Sequence, residues 1–315
     1  MADRLVTIFG GGGFVGTTLV QHLAKSGVRV RVAVRHPNSA MHVKPLGDVG
    51  QVQVVQANVR DEKSVRAAIR GSDAVVNLVG ILSQSGKQKF NTVQAIGAAI
   101  IAKYSAEEGV KKLVHMSALG ADAESDSVYA SSKAKGEEAV KHYFPSATIL
   151  RPSVIFGPGD DFFNRFAAMA SRLPVMPVFF GGTKFQPVYV GDVANVIVRA
   201  LGDDALCGTV LELGGPKTYS MREIIELTCR ETMNDVPLVD LPSPVALTMA
   251  FFLGMLPGAP VTIDQVRLLQ KDNVVSKGAK GLESLGMTGT PVEAVLPSYM
   301  EHWRPKGQFA DQIEG

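Results

Sequence analysis

The chain has 315 residues, 46% of them hydrophobic and 20% charged, and a formal net charge of +2. A chain of this length and apolar content buries a core without covalent staples, which excludes disorder and a disulfide framework. Its two cysteines, Cys207 and Cys229, suit a reducing compartment. The near-zero charge argues against a protein that tracks nucleic-acid phosphates, and six scattered histidines with two cysteines form no metal-ligand pattern.

Met1–Gly27 does not read as a secretory leader, because its apolar run Leu5–Phe9 is short and ends in four glycines. That run is expected to be a buried strand, followed by a helix over Phe14–Ser26 that Gly27 ends. Val28, Val30, Val32 and Val34 alternate with Arg29, Arg31 and Ala33, the period of a second strand. Val52–Gln56 is a third strand, and Asp61 is placed to cap a helix running to Gly71. A fourth strand over Ala74–Val79, a long helix over roughly Phe90–Glu108 and a strand at Lys112–Met116 follow. A helix through Tyr129–Tyr143 and a strand over Thr148–Phe156 complete the first half. Such alternation predicts an α/β architecture, a parallel sheet covered on both faces.

Beyond Gly157 proline and glycine become frequent and the rhythm breaks, so a smaller mixed C-terminal lobe is expected. The expected division is residues 1–157 with about 186–213 in the first domain, and about 158–185 with 214–315 in the second. Val188–Val190 and Thr209–Leu213 are candidate strands returning to the main sheet. From Leu241 to Ile263 there is no charge, but Pro242, Pro244, Pro257 and Pro260 confine any helix to Val245–Leu256. Such a segment is too short to cross the hydrocarbon. It is left as a packing helix or as a greasy helix lying on a partner or a membrane surface. The tail from Arg304 is polar and expected to be loose.

The strongest chemical signal is Gly10-Gly11-Gly12-Gly13-Phe14-Val15-Gly16, between the first strand and the first helix. It satisfies G-x-x-G-x-x-G and G-x-G-x-x-G at once. Glycines let the backbone approach a pyrophosphate, whose charge meets the N–H groups and dipole of the helix start. Opening a βαβ unit, the motif predicts a Rossmann-type doubly wound domain that binds a dinucleotide. An NAD site usually carries a carboxylate at the end of the second strand to hold the ribose 2′-hydroxyl. Here Arg35-His36-Pro37-Asn38 offers none, and arginine suits a 2′-phosphate, so NADP(H) is expected ahead of NAD(H). Asn58 and Val59, after the third strand, are placed to bracket the adenine. Gly10, Gly13, Phe14, Val15, Gly16, Arg35, Asn58, Val59, Val79, Gly80, Tyr129, Lys133 and Pro152 make up the expected cofactor contacts.

Tyr129 and Lys133 are four apart on a predicted helix and share a face. Ser117 closes the fifth strand at its carboxyl end, the edge where open α/β sheets put ligands. A lysine ammonium beside a phenol lowers the phenol's pKa, and the tyrosine can then exchange a proton with a hydroxyl or carbonyl while hydride moves. Ser117 would hold the same oxygen. These three are the expected catalytic residues, if the chain turns over a substrate.

The glycine pattern, Ser117, Tyr129-Ala130-Ser131-Ser132-Lys133 and Arg151-Pro152-Ser153-Val154-Ile155-Phe156-Gly157-Pro158 resemble the short-chain dehydrogenase/reductase superfamily in its extended or atypical branch. Three later blocks resemble the nucleotide-binding accessory subunits of respiratory complex I and their bacterial relatives. These are Gly157–Phe166, Gly181–Val193, and the pair Asp264–Leu269 with Asp272–Val275. The resemblance implies a bound NADPH with a structural role, complex I subunits as partners, and a place beside the quinone-reducing arm at the membrane surface. It implies a cytoplasmic protein, peripheral on the cytoplasmic face of the inner membrane. The intact Ser117, Tyr129 and Lys133 set leaves an alternative, an active NADP-dependent oxidoreductase, epimerase or dehydratase.

Elsewhere, Asp192 is expected to cap the helix through Ala200, and His115 to be a satisfied core histidine. Gly13 is not followed by the lysine of a kinase-type phosphate loop. Arg165 and Lys184 stand as candidates for facing an acidic substrate or partner.

Overall fold

Strands covered on both faces must be apolar along their whole length, and that is the composition at the centre of this sheet. The computed structural model of the chain describes residues 4–241 and 263–305. Seven parallel strands are β1 (Leu5–Phe9), β2 (Arg29–Val34), β3 (Val52–Gln56), β4 (Ala74–Asn77), β5 (Lys112–Met116), β6 (Thr148–Pro152) and β11 (Val210–Leu213). They run in the order β11-β6-β5-β4-β1-β2-β3. Helices α1 (Phe14–Lys25) and α6 (Val190–Gly202) pack together, and α2 (Glu62–Ile69), α3 (Gly97–Glu107) and α4 (Val128–Tyr143) pack in series. Phe9, Val75, Leu113, Ile101 and Val140 share one core cluster against the second group of helices.

Local chemistry sets the helix ends. Gly27 takes φ +74 directly after α1. The Asp61 side chain accepts from the Lys63 N–H at 3.1 Å, which caps α2 as its position predicts. The long helix predicted before β5 is built in two parts, a π-helical stretch Asn91–Ile96 and then α3. A 3₁₀ segment, Pro37–Leu46, fills the connection after β2; its prolines and polar residues gave no helical period to read.

The chain divides into two compact units, Met1–Pro152 with Val190–Leu213 and Gly278–Leu285, and Ser153–Tyr189 with Gly214–Lys277 and Gly286–Gly315. The first boundary falls at Pro152 instead of residue 157. The predicted strand over Thr148–Phe156 is two strands: β6 belongs to the main sheet, whereas β7 (Ile155–Phe156) pairs with β10 (Val188–Tyr189). The expectation that Val188–Val190 returns to the main sheet is therefore corrected, while β11 does return and pairs with β6. Asp192 does not stand ahead of α6 at the cap position; the helix starts at Val190, directly after β10, and puts Asp192 inside its first turn.

Among its described residues the second unit has three small sheets, β7–β10, β8 (Met176–Phe179) with β13 (Leu238–Leu241), and β9 (Lys184–Phe185) with β12 (Tyr219–Ser220). Its helices are α5 (Phe162–Ala170), α7 (Met221–Glu231), α8 (Ile263–Leu268) and α9 (Val292–Met300). The core gathers Phe156, Phe163, Met176, Ile224, Leu296 and Met300. A buried carboxylate organises it. Asp160 accepts from the backbone N–H groups of Gly157 (3.0 Å), Phe163 (2.8 Å) and Asn164 (3.2 Å) and from the Tyr299 hydroxyl (2.6 Å). Trp303 Nε1 donates to Asn164 Oδ1 at 2.8 Å. Burial pushes the Asp160 carboxyl above the usual carboxylate range, and the four donors oppose that shift.

Val245–Leu256 lies outside the described residues, as does the tail after residue 305. Among the described residues no helix is long and apolar enough to cross a membrane.

Candidate dinucleotide site

The glycine run forms the turn from β1 into α1. Gly10 has φ +81, a conformation that disfavours any side chain, and its N–H donates to the Ala33 carbonyl. A Cβ on Gly16 would stand 2.5 Å from the Gly10 oxygen and 2.5 Å from the Gly11 Cα, so only glycine lets helix and loop approach this closely. No side chain caps α1 at Gly13, which leaves the first-turn amides of Phe14, Val15 and Gly16 to meet a negative group.

Arg35 follows β2 directly, is exposed and forms no salt bridge among the described residues. No carboxylate stands between it and the 3₁₀ segment. That segment is tied to the glycine loop by a chain of contacts. His42 Nδ1 lies 3.1 Å from the Ser39 carbonyl and Nε2 lies 3.2 Å from Thr17 Oγ1, and the Thr17 hydroxyl donates to the Gly13 carbonyl at 2.9 Å. A Cβ on Gly12 would stand 2.6 Å from the Ala40 Cβ. Sequence reading missed Thr17 and His42, because neither belongs to a phosphate-binding signature.

Asn58 and Val59 follow β3. Asn58 Oδ1 accepts from the Arg60 N–H at 3.1 Å, and Val59 is buried in the core cluster. Val79, half-buried, donates its N–H to Asn77 Oδ1 at 3.1 Å, and Gly80 is exposed. Pro152, buried, ends β6, and its carbonyl accepts from the Leu119 N–H at 2.9 Å.

At the carboxyl end of β5 the polar groups become dense. Ser117 is buried and its N–H donates to the Leu150 carbonyl at 2.7 Å, yet its hydroxyl has no hydrogen-bond partner among the described residues. Lys133 is buried as well: Nζ donates to the Met116 carbonyl at 3.2 Å and stands 5.9 Å from the centroid of the Tyr129 ring. Burial depresses the Lys133 ammonium to about 8, with the nearby Glu137 carboxylate partly opposing. Tyr129 is half-buried and packs edge-on against Phe90 at 5.7 Å. The structure thus brings Lys133 beside both Tyr129 and the strand end that carries Ser117.

His115 is only half satisfied, a correction to the expectation. Asn77 Oδ1 takes the Val79 N–H, so the Asn77 amide turns its NH₂ to His115 Nδ1 at 3.1 Å. Nδ1 is then an acceptor and the ring proton sits on Nε2, which has no partner. Burial, then the Lys133 charge, lowers this histidine to about 3, so it stays neutral.

Glu137, four residues beyond Lys133, is also buried. It receives Arg151 bidentately, with Nε–Oε1 2.8 Å and Nη2–Oε2 2.7 Å, and Arg151 lies 3.6 Å from Glu212. Charge-assisted hydrogen bonds thus link α4 to β6, and an ion pair links β6 to β11.

An uncapped helix start behind a glycine cradle, with orphaned donors at the carboxyl edge of a parallel sheet, defines a dinucleotide-binding Rossmann protein. The comparisons agree and go further. Residues 6–214 match the model of the NAD dependent epimerase/dehydratase family. The chain is 35% identical over 310 residues to the mitochondrial NADH dehydrogenase [ubiquinone] 1 alpha subcomplex subunit 9 of Arabidopsis thaliana, covering 93% of this chain and 77% of that protein. It is 31% identical over 253 residues to the ceramide reductase of Caulobacter vibrioides, covering 78% and 76%. Among solved structures, MoeE5 in complex with UDP-glucuronic acid and NAD superposes with a TM-score of 0.72 at 18% identity, covering 95% and 98%, which shows the shared fold. The chain belongs to the NAD dependent epimerase/dehydratase family, in the group that includes the complex I alpha subcomplex subunit 9 proteins, and its site is one for a nicotinamide dinucleotide.

Proposed function

We propose that this chain is an NADP(H)-binding accessory subunit of respiratory complex I, where the bound nucleotide acts as a structural element. The observation that carries the reading is the near full-length relationship to subunit 9 of the alpha subcomplex, which takes in both units. Its place is peripheral, on the cytoplasmic face of the inner membrane.

NADPH fits the residues present. The Phe14, Val15 and Gly16 amides would hold the pyrophosphate, Arg35 the 2′-phosphate, and Asn58 and Val59 the adenine. Val79, Gly80, Lys133 and Pro152 would line the ribose and nicotinamide, and the orphaned Ser117 hydroxyl supplies a donor there. When bound, the nucleotide supplies a hydride equivalent. Among the chain's own residues, Lys133, at about 8, stays charged near neutral pH beside the Tyr129 ring.

The decisive experiment is affinity purification of the tagged protein from gently solubilised membranes, followed by denaturation and identification of released nucleotide. Complex I subunits with about stoichiometric NADPH are expected. Absence of complex I subunits overturns the assembly role. Equal affinity of the unaltered protein for NADPH and NADH overturns the cofactor choice, whereas Arg35→Ala should weaken NADPH alone, by about tenfold or more. One further reading has its own support: the Ser117, Tyr129 and Lys133 set, with a relative named ceramide reductase, fits an active oxidoreductase. Turnover of a carbonyl substrate that is lost in Tyr129→Phe with NADPH affinity kept would establish it.

A further inference from the structure

The π-helical stretch Asn91–Ile96 carries a buried amide that neither the motif nor the nucleotide reading uses. Gln94 is 2% exposed. Its Nε2 donates to the Ile81 carbonyl at 2.7 Å, and its Oε1 accepts from the Ser132 hydroxyl at 2.8 Å. A carbonyl can only accept, so the polarity of the amide is fixed: NH₂ toward Ile81, oxygen toward Ser132.

The two partners belong to the two sides of the candidate nicotinamide site. Ile81 continues the loop that carries Val79 and Gly80, and Ser132 precedes Lys133 on α4. These sides lie close together, since a Cβ added to Gly80 would reach to 3.4 Å from Lys133 Nζ. The backbone is equally tight, and a Cβ on Gly136 would stand 2.5 Å from the Gln94 carbonyl oxygen. An extra residue in a helical turn costs regular hydrogen bonding and collects at functional positions. Here the widened turn seats the Gln94 amide between loop and helix.

We propose that Gln94 is a positioning residue for the nicotinamide half of the dinucleotide, setting the separation between the Val79–Ile81 loop and the Tyr129/Lys133 face of α4. The inference rests on the nucleotide reading above. Leucine at this position keeps the volume and removes both bonds. The Ser132 hydroxyl then retains the Tyr129 carbonyl at 2.8 Å, while the Ile81 carbonyl loses its donor.

The test separates the halves of the ligand. NADPH and 2′,5′-ADP, which lacks the nicotinamide half, are titrated into the unaltered protein, Gln94→Leu and Ser132→Ala, with nicotinamide fluorescence recorded on bound NADPH. Gln94→Leu should weaken NADPH about tenfold and reduce the fluorescence enhancement, with 2′,5′-ADP changed less than about twofold. Ser132→Ala, which removes one hydroxyl, should move NADPH in the same direction by a smaller factor and keeps the test alive if Gln94→Leu does not fold. Equal weakening of both ligands, or unchanged NADPH binding with unchanged fluorescence, overturns the role of Gln94. Failure of the unaltered protein to bind either ligand overturns the nucleotide reading, and this inference with it.

Discussion

The two units differ, at one place in each, in how buried polar groups are met. In the second, every donor around Asp160 has its acceptor: four donors reach one carboxylate, and the Trp303 indole reaches Asn164. In the first, Ser117 Oγ and His115 Nε2 are buried with no partner, at one end of one strand. An unmet donor in a core costs free energy, so a fold tolerates it where something else supplies the acceptor. Satisfaction marks a scaffold, and the deficit marks the place for a ligand. The third orphan among the described residues, Ser105 in α3, has no such neighbourhood, and the structure gives no account of it.

Substitutions in each unit can break that contrast. The largest effect is expected from Gly16→Val, whose side chain has no room against Gly10 and Gly11. NADPH binding should fall by about a hundredfold or more, measured by calorimetry, because overpacking costs of this kind run to about 3 kcal/mol. Asp160→Ala is the mirror experiment. It strands the Tyr299 hydroxyl and three backbone amides, so denaturant unfolding should show a loss of about 3 kcal/mol, with NADPH affinity unchanged within about twofold. A large affinity change there would dissolve the distinction between scaffold and site.

A smaller effect comes from Lys133. Its folded-state value of about 8 lies below the ordinary lysine value of 10.5. Between those values the unfolded chain binds more protons than the folded one, so stability rises with pH and is lost as pH falls through about 8. From about pH 8 to 10 the unaltered protein should gain about 2 kcal/mol relative to Lys133→Met, read from paired urea melts. A pH-independent difference would mean that the ammonium is hydrated. The smallest effect is expected for Thr17→Val, which cuts the contact between the 3₁₀ segment and the glycine loop. A loss of about threefold in NADPH affinity, with NADH unaffected, would place the Arg35 side of the site under that contact.

Much of the first unit was legible in the sequence, for a physical reason. β1, β3 and β5 have the bounds expected from the sequence, and Gly27 and Asp61 act through backbone chemistry local enough to read. The misplacements needed partners distant in the chain. Ile155–Phe156 looks like more of β6 until Val188–Tyr189 arrives to pair with it. Nothing in the sequence around Gln94 announces that Ile81 and Ser132 will meet it. α5, with Phe162, Phe163 and Phe166, went unread beside the glycines and prolines that precede it. The nucleotide cradle was readable because glycine spacing encodes a backbone shape; His115 was not, because its open nitrogen depends on which way an asparagine amide on the neighbouring strand β4 is turned.

The edge strand β11 pairs with β6, and the Glu212 N–H beside it donates to the Lys280 carbonyl at 2.8 Å. During synthesis the β6 edge is therefore covered only once Val210–Leu213 has left the ribosome, about two thirds of the way along the chain. Until then the β6 border stands bare, a stretch on which a nascent-chain chaperone would act and where premature termination would yield an aggregating fragment instead of a minimal binding domain.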